Sequence, residues 1–183
     1  MKNEYSVDLF IIKPGVSKKM KSTIINKIKR GGFIIAIEKD ALFSLDDMRK
    51  FYSKSNEDLI KIGESTINFF KENNIDIKNH FSKTTPLAVG KEIMERQAKY
   101  MASGKSTILI TMSKNKNSNK KAKEIVGATF PEKANKGTIR SMSKDTFRSA
   151  TLQDRSVHNL IHSSDKENIN REIGIIKKYL ERQ

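Results

Sequence analysis

The stretch "YSVDLFIIKPGVSKKMKSTIINKIKRGGFIIAIEKDALF", residues 5–43, reads as a strand, a helix and a second strand in close succession. Residues 5–12 are almost continuously apolar, as a mostly buried strand requires, and Lys13-Pro14-Gly15 is a turn signal. From Ser17 to Arg30 the apolar residues Met20, Ile24, Ile25 and Ile28 recur at helical spacing, and Gly31-Gly32 stop that helix. Residues 33–43 form the second strand. Ser44 then caps a helix opened by "SLDDMRKFY", with Asp46 and Asp47 near its positive end.

Working outward, the C-terminal half repeats the alternation. Residues 91–104 read as a helix ending at Gly104, residues 106–112 as a third strand, and "KNKNSNKKAK" as a basic bridge into a short helix ending near Val126. A long loop covers 127–155. Residues 156–162 give a fourth strand, and 165–181 a closing helix with Ile169, Ile173, Ile176 and Leu180 on one face. Residues 56–86 lack a clear period, apart from a helix around Leu59–Phe70, and read as an insertion. Strands joined by helices imply one sheet with helices packed on it: an α/β (α+β), ferredoxin-like split βαβ fold with a four-stranded antiparallel sheet. The expectation is one domain over 1–183.

The chain has 183 residues, enough for a single core, and no cysteine, which excludes disulfides and thiolate metal sites. The first apolar run is too short and too acidic for a signal peptide, and no stretch is long enough to span a membrane. These bounds read as a soluble, cytoplasmic protein. Its formal charge is +15, from 36 Lys and Arg against 21 Asp and Glu. Such a balance attracts polyanions, whether nucleic acid, acidic membrane or phosphorylated small molecules, although a lysine-rich habit gives the same total.

Two motifs fail on inspection. "ASGKST", 102–107, ends like a phosphate-binding P-loop, but Lys99 stands where that loop needs its first glycine, and the order is helix–turn–strand. "RGGFIIAI", 30–37, is like the RNA-reading strand of a related fold, yet Gly32 and Ile34 stand where stacking aromatics are required.

The stretch "NLIHSSDKEN", 159–168, carries the chemistry. Alternation in a strand puts His158, Leu160 and His162 on one face and Asn159 and Ile161 on the other. Ser164-x-x-Glu167 has the form of a capping box, so a helix is expected to begin directly after His162, its free N–H groups favouring an anion. A nucleophilic imidazole needs one nitrogen free and the other held as N–H by an acceptor, which Ser164 or Glu172 can help to provide. In isolation a partly buried histidine at a strand end is the better explanation of this stretch. The loop "GATFPEKANKGTIR", 127–140, adds Thr129 and Arg140, both good partners for phosphate oxygens.

Together, "FIIKPG", "YMASG", "GATFPEKANKGTIR" and "NLIHSSDKENINREI" resemble the nucleoside diphosphate kinase family, in order and over nearly the whole chain. The resemblance implies ping-pong transfer of a γ-phosphate through a phosphohistidine on His162. It implies that Ser164 and Glu172 orient the imidazole, that Tyr52 packs beside it, and that Lys13, Lys123, Thr129 and Arg140 hold phosphates. Asn159 would bind the ribose, and Ile93 falls where the family stacks an aromatic on the base. ATP and other nucleoside tri- and diphosphates would be the substrates, Mg2+ would arrive on their phosphates, and the chain would form a homo-oligomer, a hexamer or tetramer. Three departures stand out: the turn after Lys13 is one residue short, Lys123 replaces an arginine, and Ser141-Met142 follow "GTIR" in place of Gly-Asp. His80 carries no role under this reading. The alternative is a catalytically weak relative acting as a basic nucleic-acid-binding module.

Overall fold

The computed structural model describes residues 5–181. Its strands are β1 (Ser6–Ile12), β2 (Ile34–Ala41), β3 (Ser106–Ser113) and β4 (Ile161–Ser163), antiparallel in the order β2-β3-β1-β4. Its helices are α1 (Lys18–Arg30), α2 (Leu45–Phe51), α3 (Asn56–Glu72), α4 (Pro86–Ala102), α5 (Ser118–Val126), α6 (Phe147–Leu152) and α7 (Ile169–Glu181). This is the expected four-stranded sheet, with β1 central and buried from Asp8 onward because helices cover both of its faces. Among the described residues no helix is long and apolar enough to cross a membrane.

The two faces hold separate cores. On one, Ile24 and Ile28 of α1 and Ala122 and Val126 of α5 pack on Phe10, Ile12 and Leu109. On the other, Met48 and Phe51 of α2, Met101 of α4 and Ile176 of α7 pack on Leu9, Ile11 and Ile108. Alternate residues of β1 therefore feed opposite cores. Serine caps start three helices where the sequence offers them: Ser17, Ser44 and Ser55 each accept a backbone N–H from the first turn.

Several elements differ from the sequence expectation. Segment 56–86 is well ordered: α3 runs the full length Asn56–Glu72, and α4 starts at Pro86 rather than residue 91. Two glycines permit this. A Cβ on Gly63 would sit 1.9 Å from the Pro86 carbonyl oxygen, and one on Gly90 1.9 Å from that of Leu59, so α3 and α4 touch backbone to backbone. The 127–155 region contains two short 3-10 turns and α6 rather than plain loop. The fourth strand is only Ile161–Ser163, and α7 begins at Ile169. At the far end of α7, Tyr179 and Lys178 bind Asp47, tying α7 to α2.

Candidate active site

β4 is short because the chain turns sharply just before it. Leu160 has φ 71, and the Ile161 N–H donates to the Asn159 carbonyl, a tight three-residue turn that a branched side chain rarely adopts. The expected alternation of His158, Leu160 and His162 therefore does not hold: only His162 is on the strand, opposite Ile11. The Leu160 carbonyl accepts the Lys13 N–H at 2.9 Å, so the turn and the end of β1 are stitched together. Backbone held in such a sparsely populated region concentrates at working sites.

His162 is on the α2–α7 face. Its Nε2 lies 2.9 Å from Glu172 Oε2, and the Ser164 hydroxyl donates to the same carboxylate oxygen. The expected capping box is absent. Residues 165–168 form a turn, Asn168 and Ile169 donate to the Asp165 carbonyl, and the Ser164 hydroxyl goes to Glu172 instead of a helix end. What meets the imidazole is a buried carboxylate from the first turn of α7. Phe51 and Tyr52 meet the imidazole edge-on, with centroids at 5.0 and 5.8 Å, and fix its plane. Phe51 escaped sequence reasoning although it adjoins Tyr52; a helical apolar residue looks like core, which it also is.

The electrostatics follow from burial. Loss of water lowers the His162 pKa below the usual imidazole value, with Glu172 pulling the other way. Burial works against the Glu172 carboxylate, but the bonds from His162 and Ser164 outweigh it and hold its pKa below the ordinary range. A neutral imidazole beside an ionised carboxylate carries its proton on Nε2. The lone pair is then on Nδ1.

Three cations surround this ring. Lys13 is buried, and loss of water together with the Arg140 charge pushes its pKa down to about 7. Among the described residues its ammonium has no carboxylate partner; it lies 5.5 Å from the centre of the Tyr100 ring. The Tyr100 hydroxyl donates to the Pro14 carbonyl at 3.1 Å, which braces the shortened turn after Lys13. Tyr100 belongs to the quoted "YMASG" helix end, but nothing in the sequence reveals that bond. Arg140 donates to the carbonyls of Ile161 (3.2 and 3.3 Å) and Gly127 (3.1 Å), and burial lowers its pKa to about 10. Lys123 is committed elsewhere, bonding the Ser163 carbonyl at 2.7 Å and pairing with Asp165 at 3.0 Å.

A cavity of about 400 Å³ reaches this site at Asn159, directly before the Leu160 turn that binds Lys13. Ile93 of α4, Ile62 of α3, Phe130 and Phe147 supply apolar wall, and Thr129 and Asn159 supply polar wall. Asn159 is buried, and its amide donates to the Thr129 carbonyl at 2.7 Å, leaving Oδ1 without a partner among the described residues. The Tyr52 hydroxyl is also buried outside hydrogen-bond geometry, and burial raises its pKa. Phe130 and Phe147 were not anticipated. They reach the cavity through the fold of the long connection, where Phe147 also meets Phe69 of α3 at 4.9 Å.

Thus the structure brings together His162, Glu172, Ser164, Tyr52, Lys13 and Arg140, with Lys123 at the edge and Thr129, Asn159 and Ile93 around the adjoining cavity. His80 lies apart, bonded to Asp154. Among the described residues no cluster of His, Asp and Glu suits a metal ion. The carboxylates near His162 are already used, Glu172 by His162 and Ser164, Asp165 by Lys123. These residues do not make a resident Mg2+ site.

Comparison with known proteins adds an independent line. The sequence profile described as "Nucleoside diphosphate kinase" matches residues 65–181. A nucleoside diphosphate kinase from Pyrobaculum aerophilum is 32% identical over 159 residues, covering 86% of each chain. The crystal structure of an NDP kinase from Pyrobaculum aerophilum superposes with a TM-score of 0.87 at 28% identity, covering 97% of this chain and 99% of that one. A Borrelia burgdorferi nucleoside-diphosphate kinase with bound vanadate and ADP shares the fold at a TM-score of 0.70 and 18% identity, covering 98% of this chain and 92% of that one.

Proposed function

The chain belongs to the nucleoside diphosphate kinase family, enzymes that move a γ-phosphate from a nucleoside triphosphate to a nucleoside diphosphate, and on that premise we propose that His162 carries the phosphoryl group on Nδ1. The carrying observation is the bond between His162 Nε2 and buried Glu172, which commits one nitrogen and leaves the other as nucleophile.

The Nδ1 lone pair attacks the γ-phosphorus, an N–P bond forms, and the bond to the β–γ bridging oxygen breaks, releasing the diphosphate. The imidazole gains positive charge while keeping its Nε2 proton, and Glu172 balances that charge. A β-phosphate oxygen of a second diphosphate then attacks the phosphorus and the N–P bond breaks, restoring the neutral ring. No net proton is exchanged. Most of the catalysis is positioning and stabilisation of charge on the equatorial oxygens. Arg140 and Lys13 supply that stabilisation, and their lack of carboxylate partners among the described residues supports the assignment. Lys123 acts less directly, holding Asp165 and the Ser163 carbonyl. Tyr52 fixes the imidazole, Thr129 lines the path between phosphates and nucleoside, and the free Asn159 Oδ1 accepts a ribose hydroxyl. Ile93, Phe130 and Phe147 receive the base. Mg2+ comes with the nucleotide as part of the substrate.

We read the chain as one domain in which segment 56–86 is an insertion that adds a wall to the nucleoside cavity. Assembly into a hexamer or tetramer is supported by β2, an edge strand with exposed Ile34 and Ile37. Its substrates suit a cytoplasmic enzyme. The test is incubation with γ-labelled ATP and Mg2+. Label on the protein that is lost in acid, stable in alkali, discharged by GDP as GTP and absent from His162→Ala is the expected result. A folded protein that never takes label would end this assignment.

A further inference from the structure

The charge of +15 is not spread evenly. On one face of the sheet, α1 and α5 with the turn into α5 (residues 18–30 and 114–126) hold eleven lysines and arginines and one acidic residue, Glu124. Helices α2, α3 and α4, on the other side, hold seven basic and eight acidic residues. A lysine-rich habit would raise both sides alike, so composition does not account for the asymmetry.

The basic residues form one surface. Gly31 at the end of α1 abuts Ile125 of α5, Lys27 Nζ donates to the Gly137 carbonyl at 2.7 Å, and the Ser113 hydroxyl reaches the Gly32 carbonyl at 3.3 Å. These contacts set α1, α5 and the Lys114–Lys116 turn side by side. Lys21, Lys121 and Lys123 have acidic partners. Lys18, Lys19, Lys29, Arg30, Lys116 and Lys120 are exposed and make no ion pair among the described residues. Helix polarity explains Lys29 and Arg30 at the C-terminus of α1. It argues against Lys18 and Lys19 in the first turn of α1, and Lys120 and Lys121 in that of α5, where carboxylates are favoured. Cations kept against the helix field point to an external anion.

The surface also selects the kind of anion. None of the exposed large apolar residues lies on α1 or α5, so the face lacks the wedge a membrane-lying helix requires. Without an exposed aromatic on either helix it has no platform for stacking bases. What it offers is a row of charges about 18 Å long on α1, matching roughly five phosphates of one strand. Asn117, exposed at the N-cap of α5, adds a neutral donor of the kind that binds phosphate oxygens.

We propose that the α1–α5 face binds nucleic acid through its phosphate backbone, without sequence preference, on the side of the sheet opposite His162. This does not depend on the phosphohistidine assignment. The test is fluorescence anisotropy of a labelled random-sequence 20-bp DNA duplex with the full chain, beside the variant Lys29→Gln/Arg30→Gln/Lys116→Gln/Lys120→Gln. Expected are duplex binding that weakens two to three orders of magnitude between about 50 and 200 mM salt, and a loss of about 30-fold or more in the variant. Phosphotransfer kcat/KM stays unchanged in the variant, and excess Mg–ADP does not displace the duplex. A variant that binds like the parent, displacement by Mg–ADP, or binding to phosphatidylserine vesicles in place of the duplex would each overturn the proposal.

Discussion

The two ends of the site are built on opposite terms. At the end proposed for the phosphates, Lys13 is buried and Arg140 half-buried, and among the described residues neither pairs with a carboxylate, so charge is held there at a cost that an arriving anion would remove. At the end proposed for the nucleoside, Ile62, Ile93, Phe130 and Phe147 line a cavity of about 400 Å³ with apolar walls that carry no titration. On the proposed reading, changes at the first end should act mainly on rate, and changes at the second mainly on affinity. This difference ranks the effects of changing each.

The largest effect belongs to the nucleophile. His162→Ala should reduce kcat/KM by at least ~10⁴-fold while circular dichroism stays native. Arg140→Ala should follow at about 10²–10³-fold, mainly in kcat, because its charge acts on the transferring phosphoryl group. If Arg140→Ala instead raised KM alone, the contrast between the ends would fail. Glu172→Gln should lower kcat by about 10–10²-fold. It should also move the acid limb of the pH profile lower, since His162 loses the partner that supports its proton.

Lys13 gives the sharpest test of the buried-charge idea. Its pKa is about 7 in the folded chain against 10.5 in the free side chain. The unfolded chain therefore binds this proton more tightly, so stability falls as pH drops from 10.5 towards about 7 and is constant below. Lys13→Met should stabilise the empty protein at neutral pH by about 1–4 kcal/mol and flatten that pH dependence, while weakening nucleotide binding. With the parent protein near pH 8, calorimetry in buffers of different ionisation heat should detect proton uptake as Mg–ADP binds. The smallest effect falls at the other end: Ile93→Ala should raise nucleotide KM by about 3–10-fold and leave kcat nearly unchanged.

The same contrast explains what was legible in the sequence. The sheet and most helices declared themselves because β1 is a short, almost continuous apolar run and α1 keeps the helical period. Glu172, Lys13, Arg140 and His162 were legible as a motif set, since each lies in a short segment of distinctive residues. The nucleoside end was less so. Phe130 and Phe147 are brought to it by a connection without period, and α3 reaches it because Gly63 and Gly90 allow backbone contact that no pattern announces. The misread boundaries share one cause. Leu160 at positive φ delays the start of β4, and Ser164 binds Glu172 instead of capping a helix, so tertiary partners overrode local signals.

The most direct measurement is the position of the phosphoryl group on the ring. Protein labelled with γ-labelled ATP, digested in alkali and separated against authentic phosphohistidine isomers, should yield the Nδ1-phosphorylated isomer from His162. Recovery of the Nε2 isomer would contradict the account, because that nitrogen is the one committed to Glu172.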